Sequence, residues 1–231
     1  MEKLLGLGVL GMIAACVTVG VRLLLLTRRT RQAPELLLGL SFLLMGGVGY
    51  PLAIAARAGG GSATLLTIAL AAQDVACMAM YAAAWRTFRS QDAWGAWVCA
   101  AAGVGFAASV GLALSTGDPN SGGGYYLGLG VRAGAFAWMA GESYRYAGLL
   151  ARRLQLGLVD PVLANRFRLW TISSGGVLLG FGVFLVGRLT TDGVATAPWV
   201  LATTSLISLV SATSMWLAFV PPAAYLRRLR A

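Results

Sequence analysis

Seven stretches of the chain, roughly 4–27, 35–56, 63–85, 93–115, 123–147, 167–188 and 197–220, are apolar over some twenty residues or more, and only short connections separate them. A helix needs about 20 apolar residues to cross a bilayer core of about 30 Å. The runs are about twice as long as a spanning strand and lack alternation of period two, which argues against a membrane β-barrel. Charge agrees, since 11% of the residues are charged against roughly 25% in an ordinary soluble domain. The expected fold is all-α: one domain over residues 1–231, a bundle of seven transmembrane helices, with no soluble domain before or after it.

The net charge of +10 is better explained by topology than by nucleic acid, and no nucleic-acid partner is expected. Arg28, Arg29 and Arg31 follow the first run, and Arg86 and Arg89 the third. Arg145, Arg152, Arg153, Arg166 and Arg168 surround the fifth connection, and Arg227, Arg228 and Arg230 close the chain, making thirteen of the eighteen basic residues. The alternate connections hold only Lys3, Arg57 and Arg188, and "STGDPNSGGG" has none. This is the positive-inside pattern, which places the N-terminus outside and the C-terminus in the cytoplasm and requires an odd number of helices. The location implied is a cell membrane, a bacterial inner membrane, crossed several times. "IAAC" at 13–16 resembles a lipobox ending at Cys16, but its apolar run continues to "RRTR", and a basic cluster after the run orients an uncleaved anchor.

Several chemistries are excluded or demoted. Histidine is absent, removing the commonest metal ligand and general base. Cys16, Cys77 and Cys99 lie within apolar runs and read as packing residues rather than a disulfide framework. "GLGVLG" at 6–11 matches a nucleotide-binding glycine pattern but opens a membrane helix instead of following a strand. No Walker motif, nucleophile elbow or metal spacing appears, so no enzyme, metal or cofactor is expected. The sole lysine is Lys3, outside the bundle, and a retinal Schiff base is therefore excluded.

The candidate site begins with Asp74, set beside Gln73 in "LLTIALAAQDVACMAMYAAAW". Counting from the outer end of its helix near residue 62, twelve residues at about 1.5 Å each place Asp74 roughly 18 Å deep. Arg132, counted from residue 123, lies roughly 14 Å deep by the same rise. The matching depths predict that the two meet, each supplying the countercharge that makes the other tolerable; intramembrane ionisable residues are functional candidates by default. A purely structural pair is the alternative. Glu142 is placed on one helix face with Arg145 and Tyr146 by spacings of three and four, as a local ion pair or a proton-accepting group. Thr204, Ser208 and Ser211 form one stripe, either bonding to neighbouring helices or lining a polar cavity. If that stripe faces Asp74 and Arg132, then Gln73, Tyr81 and Trp138 are candidate walls.

Glycine pairs at helical spacing, Gly124 with Gly128, Gly130 with Gly134 and Gly176 with Gly180, predict close helix packing within the bundle rather than dimerisation. Trp85, Trp94, Trp97, Trp170 and Tyr225 are expected at the inner interface, and Tyr50, Tyr125, Tyr126 and Trp199 at the outer one. All prolines lie off the midplane, which gives no support to a broken-helix transporter site. Glu35 reads as a favourable charge at a helix N-terminus. The fifth connection, "RYAGLLARRLQLGLVDPVLANRF", extends the fifth helix as a basic amphipathic turn, for anionic headgroups or a cytoplasmic partner protein.

"RRTRQAPELLLGLSFLLMGGVGYPL", "WRTFR" and "ANRFRLW" resemble segments of uncharacterised bacterial seven-helix integral membrane proteins. The resemblance spans most of the chain, rests on basic and aromatic boundary motifs, and implies no activity. In topology the chain is also similar to rhodopsin-like proteins and to the seven-helix input modules of bacterial sensor kinases. The function expected is a receptor-like or sensory module holding a small, hydrophobic ligand near Asp74 and Arg132. The alternatives are a small-molecule or proton-coupled transporter and a ligand-free accessory membrane subunit.

Overall fold

The computed structural model describes residues 2–58, 62–117, 122–190 and 197–230, and among them it is all-helical, with no strand. The helices are α1 (Glu2–Thr30), α2 (Ala33–Phe42), α3 (Tyr50–Ala58), α4 (Ala63–Phe88), α5 (Ala93–Thr116), α6 (Gly122–Gln155), α7 (Pro161–Thr190), α8 (Pro198–Phe219) and α9 (Ala223–Arg230). A π-helical segment, Leu43–Gly49, joins α2 to α3. Side chains of Lys3, Arg57 and Arg230, and segments 118–121 and 191–196, lie outside the described residues.

Among the described residues, six spans are long and apolar enough to cross a membrane: Leu7–Thr30, Ala33–Ala56, Ala63–Phe88, Ala93–Thr116, Pro161–Thr190 and Pro198–Phe219. They match six of the seven expected runs. The fifth run falls in α6, which at 34 residues is the longest of the described helices yet is not among the six, because its glycines, Tyr125, Tyr126 and Arg132 lower its hydropathy. Leu10, Val75, Val104, Leu179 and Leu206 are exposed large hydrophobics. Such a surface suits lipid and not water. The chain is an integral, multi-pass membrane protein.

Local chemistry sets the helix ends. Pro34, Pro161 and Pro198 stand in first turns, where a missing N–H costs nothing. Ser62 Oγ accepts from Leu65 N at 3.3 Å and caps α4. Glu35 lies in the first turn of α2 and also accepts from Thr30 Oγ1. The fifth connection is tighter than the sequence suggests. α6 runs to Gln155 as expected, and Pro161 then starts α7 earlier than hydropathy alone indicates. Between them, Leu158 N donates to Arg153 O at 3.0 Å and Gly157 N to Leu154 O at 3.0 Å, with Gly157 at φ 68°. This is a Schellman cap, for which glycine is the favoured residue. Asp160 Oδ1 then accepts from Val162 N at 2.9 Å.

The second run is not a plain α-helix. Pro51 has no N–H, and its ring opposes the carbonyl four residues earlier. The chain widens ahead of it into the π-helical turn, where Tyr50 N donates to Met45 O. Sequence reading placed Pro51 off the midplane and expected no distortion there.

Two compact units form: residues 16–135, and residues 1–15 with 136–231, α1 and α6 contributing to both. In the first, Ala53, Ala56, Leu66 and Ala69 make a small buried cluster between α3 and α4. α1 and α2 approach closely at glycines, where a Cβ on Gly20 would lie 3.1 Å from Gly39 O. In the second unit, a Cβ on Gly8 would lie 2.7 Å from Ser205 Cα. An aromatic chain also runs through it, with Tyr146 on Phe167 at 4.7 Å, Phe167 on Trp170 at 5.9 Å and Trp170 on Phe219 at 5.6 Å. Trp170 is therefore buried in protein, as is Tyr125, whereas Trp94, Trp97, Tyr126 and Trp199 are exposed.

Candidate functional site

Asp74 stands on α4 and Arg132 on α6, both within unit 16–135. Arg132 Nε donates to Asp74 Oδ1 at 2.6 Å, and each residue is only 5% exposed. The short distance is that of a charge-assisted hydrogen bond. Fifty-eight residues separate the partners, so the contact is tertiary and ties the two helices together.

Neighbouring residues make room for the guanidinium and hold it. A Cβ on Gly128, one turn before Arg132, would lie 2.5 Å from Ser109 Oγ and 3.3 Å from an Arg132 terminal nitrogen. At Gly124 a Cβ would lie 2.9 Å from Ser109 O. The Gly124/Gly128 pair thus lets α5 and α6 approach and leaves space for the charged side chain, a more specific role than general packing. Ser109 Oγ donates to Gly124 O at 2.7 Å across the same interface. Tyr81 Oη donates to Val131 O at 2.8 Å, fixing the backbone immediately before Arg132, and it abuts Gly134. A Cβ on Gly130 would meet nothing within 4 Å, so this glycine takes no part in the packing.

One polar atom is left over. Asp74 Oδ2 is buried and has no hydrogen-bond partner among the described residues. Beside the ion pair is a cavity of ≈ 20 Å³, lined by Thr67, Leu70, Ala71, Asp74, Ser109, Val110, Ala113, Gly124, Tyr125 and Arg132. That is room for about one water, whereas pockets for drug-sized ligands run to about 300–1,000 Å³. Thr67, Leu70, Ala71, Val110 and Ala113 are half-buried, so the rim reaches the protein surface.

Of the other residues expected near this site, Gln73 and Tyr81 share its unit. Gln73 packs on Gly49 of the π-helical segment, where a Cβ would lie 2.6 Å from Gln73 Cγ, and it does not line the cavity. Tyr81 acts on the backbone rather than on the cavity wall. Trp138, Glu142, Arg145, Thr204, Ser208 and Ser211 belong to the second unit, and every cavity-lining residue belongs to the first. Glu142, buried, accepts from Arg145 Nη1 at 3.4 Å through both oxygens. Thr204 Oγ1 donates to Val200 O at 2.7 Å within its own helix. Ser211 is fully buried against Gly176, the close approach foreseen for the Gly176/Gly180 pair. Ser208 is half-buried. Sequence reading missed Thr67, Ser109 and Tyr125; Ser109 had a signal, being the only hydroxyl between Trp94 and Leu114.

Comparison with protein families, with curated proteins and with solved structures finds no match to this chain.

Proposed function

We propose that the protein is a receptor-like module of a bacterial inner membrane that recognises a small amphiphile through Asp74 and Arg132. The observation that carries this reading is Asp74 Oδ2, a buried carboxylate oxygen without a donor among the described residues, on a side chain that lines a cavity with room for one water-sized group. A hydroxyl or amine on a ligand would supply the missing hydrogen bond, and a buried acceptor left unsatisfied costs about 1–3 kcal/mol or more when charged. The ligand's apolar body would lie on the half-buried rim at Thr67, Leu70, Val110 and Ala113, reached from the lipid. Seven crossings belong to the same proposal. Arg132 lowers the hydropathy of α6, but its charge meets Asp74 instead of lipid, which makes the crossing tolerable. With α6 the count becomes odd, as the alternating basic connections require for an external N-terminus and a cytoplasmic C-terminus. Output from such a module would pass to a cytoplasmic partner protein.

The test is native mass spectrometry of protein extracted in mild detergent, comparing wild type with the Asp74→Asn, Arg132→Gln double variant. A co-purifying amphiphile present in wild type and absent from the variant is expected; the same small-molecule complement in both would sink the reading. The unpartnered oxygen also favours a second function, a proton-coupled carrier in which Asp74 takes and releases a proton. Proteoliposome uptake that depends on a pH gradient and is lost in Asp74→Asn would select it.

A further inference from the structure

The second unit gathers a group of cations that the Asp74 site does not use. Arg152 and Arg153 end α6, Arg166 and Arg168 lie in the first turns of α7, and Arg227 and Arg228 lie on α9. The α6–α7 pair is held at this end by Tyr146 against Phe167 and by the Schellman turn. α9 is tied to α7 by Asn165 Nδ2, which donates to Tyr225 Oη at 2.7 Å. Five of the six arginines are exposed and Arg166 is half-buried. None of them forms an ion pair with a carboxylate among the described residues. Asp160 is the one carboxylate between residues 143 and 190, the segment 197–230 has none, and Asp160 caps α7.

Six guanidinium groups without a carboxylate partner among the described residues, on one hairpin and its docked helix, favour an anionic partner, and their setting specifies which. α7 is 30 residues long, about 45 Å by its rise, against a hydrocarbon core of about 30 Å, and its apolar run starts only near residue 167, which puts this end at the headgroup layer. Leu156 and Leu158 at the turn are 72% and 71% exposed beside the arginines, a mixture suited to the boundary between headgroup and acyl chain. On α9, Tyr225, Leu226 and Leu229 are half-buried while Arg227 and Arg228 face out, an amphipathic arrangement for the same plane. We infer that the α6–α7 turn and α9 together form a binding site for the phosphate headgroup of anionic phospholipids. Arginine's planar fork binds phosphate oxygens bidentately, and the site would retain specific lipids rather than merely attract a diffuse layer.

The test is lipid retention by the full chain in mild detergent, measured by native mass spectrometry with phosphatidylglycerol, with phosphatidylcholine, and with soluble glycerol phosphate as competitor. Wild type should hold phosphatidylglycerol and release phosphatidylcholine. The triple variant Arg166→Gln, Arg168→Gln, Arg227→Gln should weaken phosphatidylglycerol on the order of a hundredfold, at about fivefold per arginine. A charge-matched control, Arg28→Gln, Arg29→Gln, Arg31→Gln in the other unit, should change it by less than about threefold on that scale. Lysine at the same three site positions keeps the charge but lacks the fork, and should recover only part of the binding. The proposal is overturned if the control triple weakens binding as much, if the lysine variant binds as tightly as wild type, or if phosphatidylcholine is held equally. Equal competition by glycerol phosphate, or displacement of the lipid by a bound acidic protein, also overturns it.

Discussion

The Asp74–Arg132 pair allows a double-mutant cycle whose outcome follows from burial. Both residues are 5% exposed and share one 2.6 Å hydrogen bond. Asp74→Asn removes one charge and leaves Arg132 buried without its counterion; Arg132→Gln does the reverse. A lone charge at the centre of a membrane helix costs about 2.5–3.5 kcal/mol on insertion scales, and breaking a buried pair in proteins costs about 3–5 kcal/mol. Each single variant should therefore lose about 3 kcal/mol. The double variant removes both charges together and should stay within about 2 kcal/mol of wild type, since neutral replacement of a buried pair is often tolerated. Neutral interhelical hydrogen bonds in membranes couple by only about 0.6 kcal/mol on average, so a coupling of several kcal/mol would identify the interaction as ionic. The assay is reversible unfolding in mixed micelles, followed by far-UV circular dichroism. If the double variant's loss equals the sum of the single losses to within about 0.5 kcal/mol, the two residues do not interact and the site is misassigned.

Tyr81→Phe should cost about 1 kcal/mol in the same assay, the net worth of the hydrogen bond to Val131 O that it deletes; no change would show that Tyr81 does not position Arg132. Gly8→Ala should destabilise by about 1–3 kcal/mol, because its Cβ would meet Ser205 backbone atoms at 2.7 and 2.8 Å. Gly130→Ala, with nothing within 4 Å, should be neutral or stabilising by up to about 1 kcal/mol through helix propensity; thermal denaturation separates the two, and equal losses would refute the packing argument. Gly157→Ala, at φ 68°, should cost about 1 kcal/mol or more from the left-handed backbone alone, read as a lower midpoint in the unfolding titration.

Legibility from sequence followed the physics of each feature. Hydropathy located the helices because lipid demands long apolar runs, and Ala33–Ala56 or Ala93–Thr116 could be bounded to within a few residues. α6 was harder, since Arg132 is an unfavourable residue by composition and becomes acceptable only through a partner 58 positions away. That partner was still found, because helical rise converts sequence position into depth and two opposite charges at one depth have few other solutions. Direction around the helix was not legible. Gln73 precedes Asp74 in the chain yet packs on Gly49, and Tyr81 reaches the backbone at Val131 instead of the cavity. Nor was the π-helical turn visible, because it arises from Pro51 acting on a glycine-rich stretch that gives no distinct pattern.

A pair that served only to hold α4 against α6 would be expected to satisfy its own polar atoms, since a half-satisfied buried network is worse than an apolar contact. Among the described residues Arg132 bonds to Asp74 Oδ1, and the second oxygen stays buried without a donor. Ser109 and Thr67 line the same cavity, and their hydroxyls donate to Gly124 O at 2.7 Å and to Ala63 O at 2.9 Å. Two nearby hydroxyls are thus engaged by backbone carbonyls while a carboxylate oxygen goes unmet beside a water-sized space. A donor from outside the protein, whether a water or a ligand group, would meet that oxygen, and the space has room for one; the co-purification comparison of wild type with the double variant decides between them.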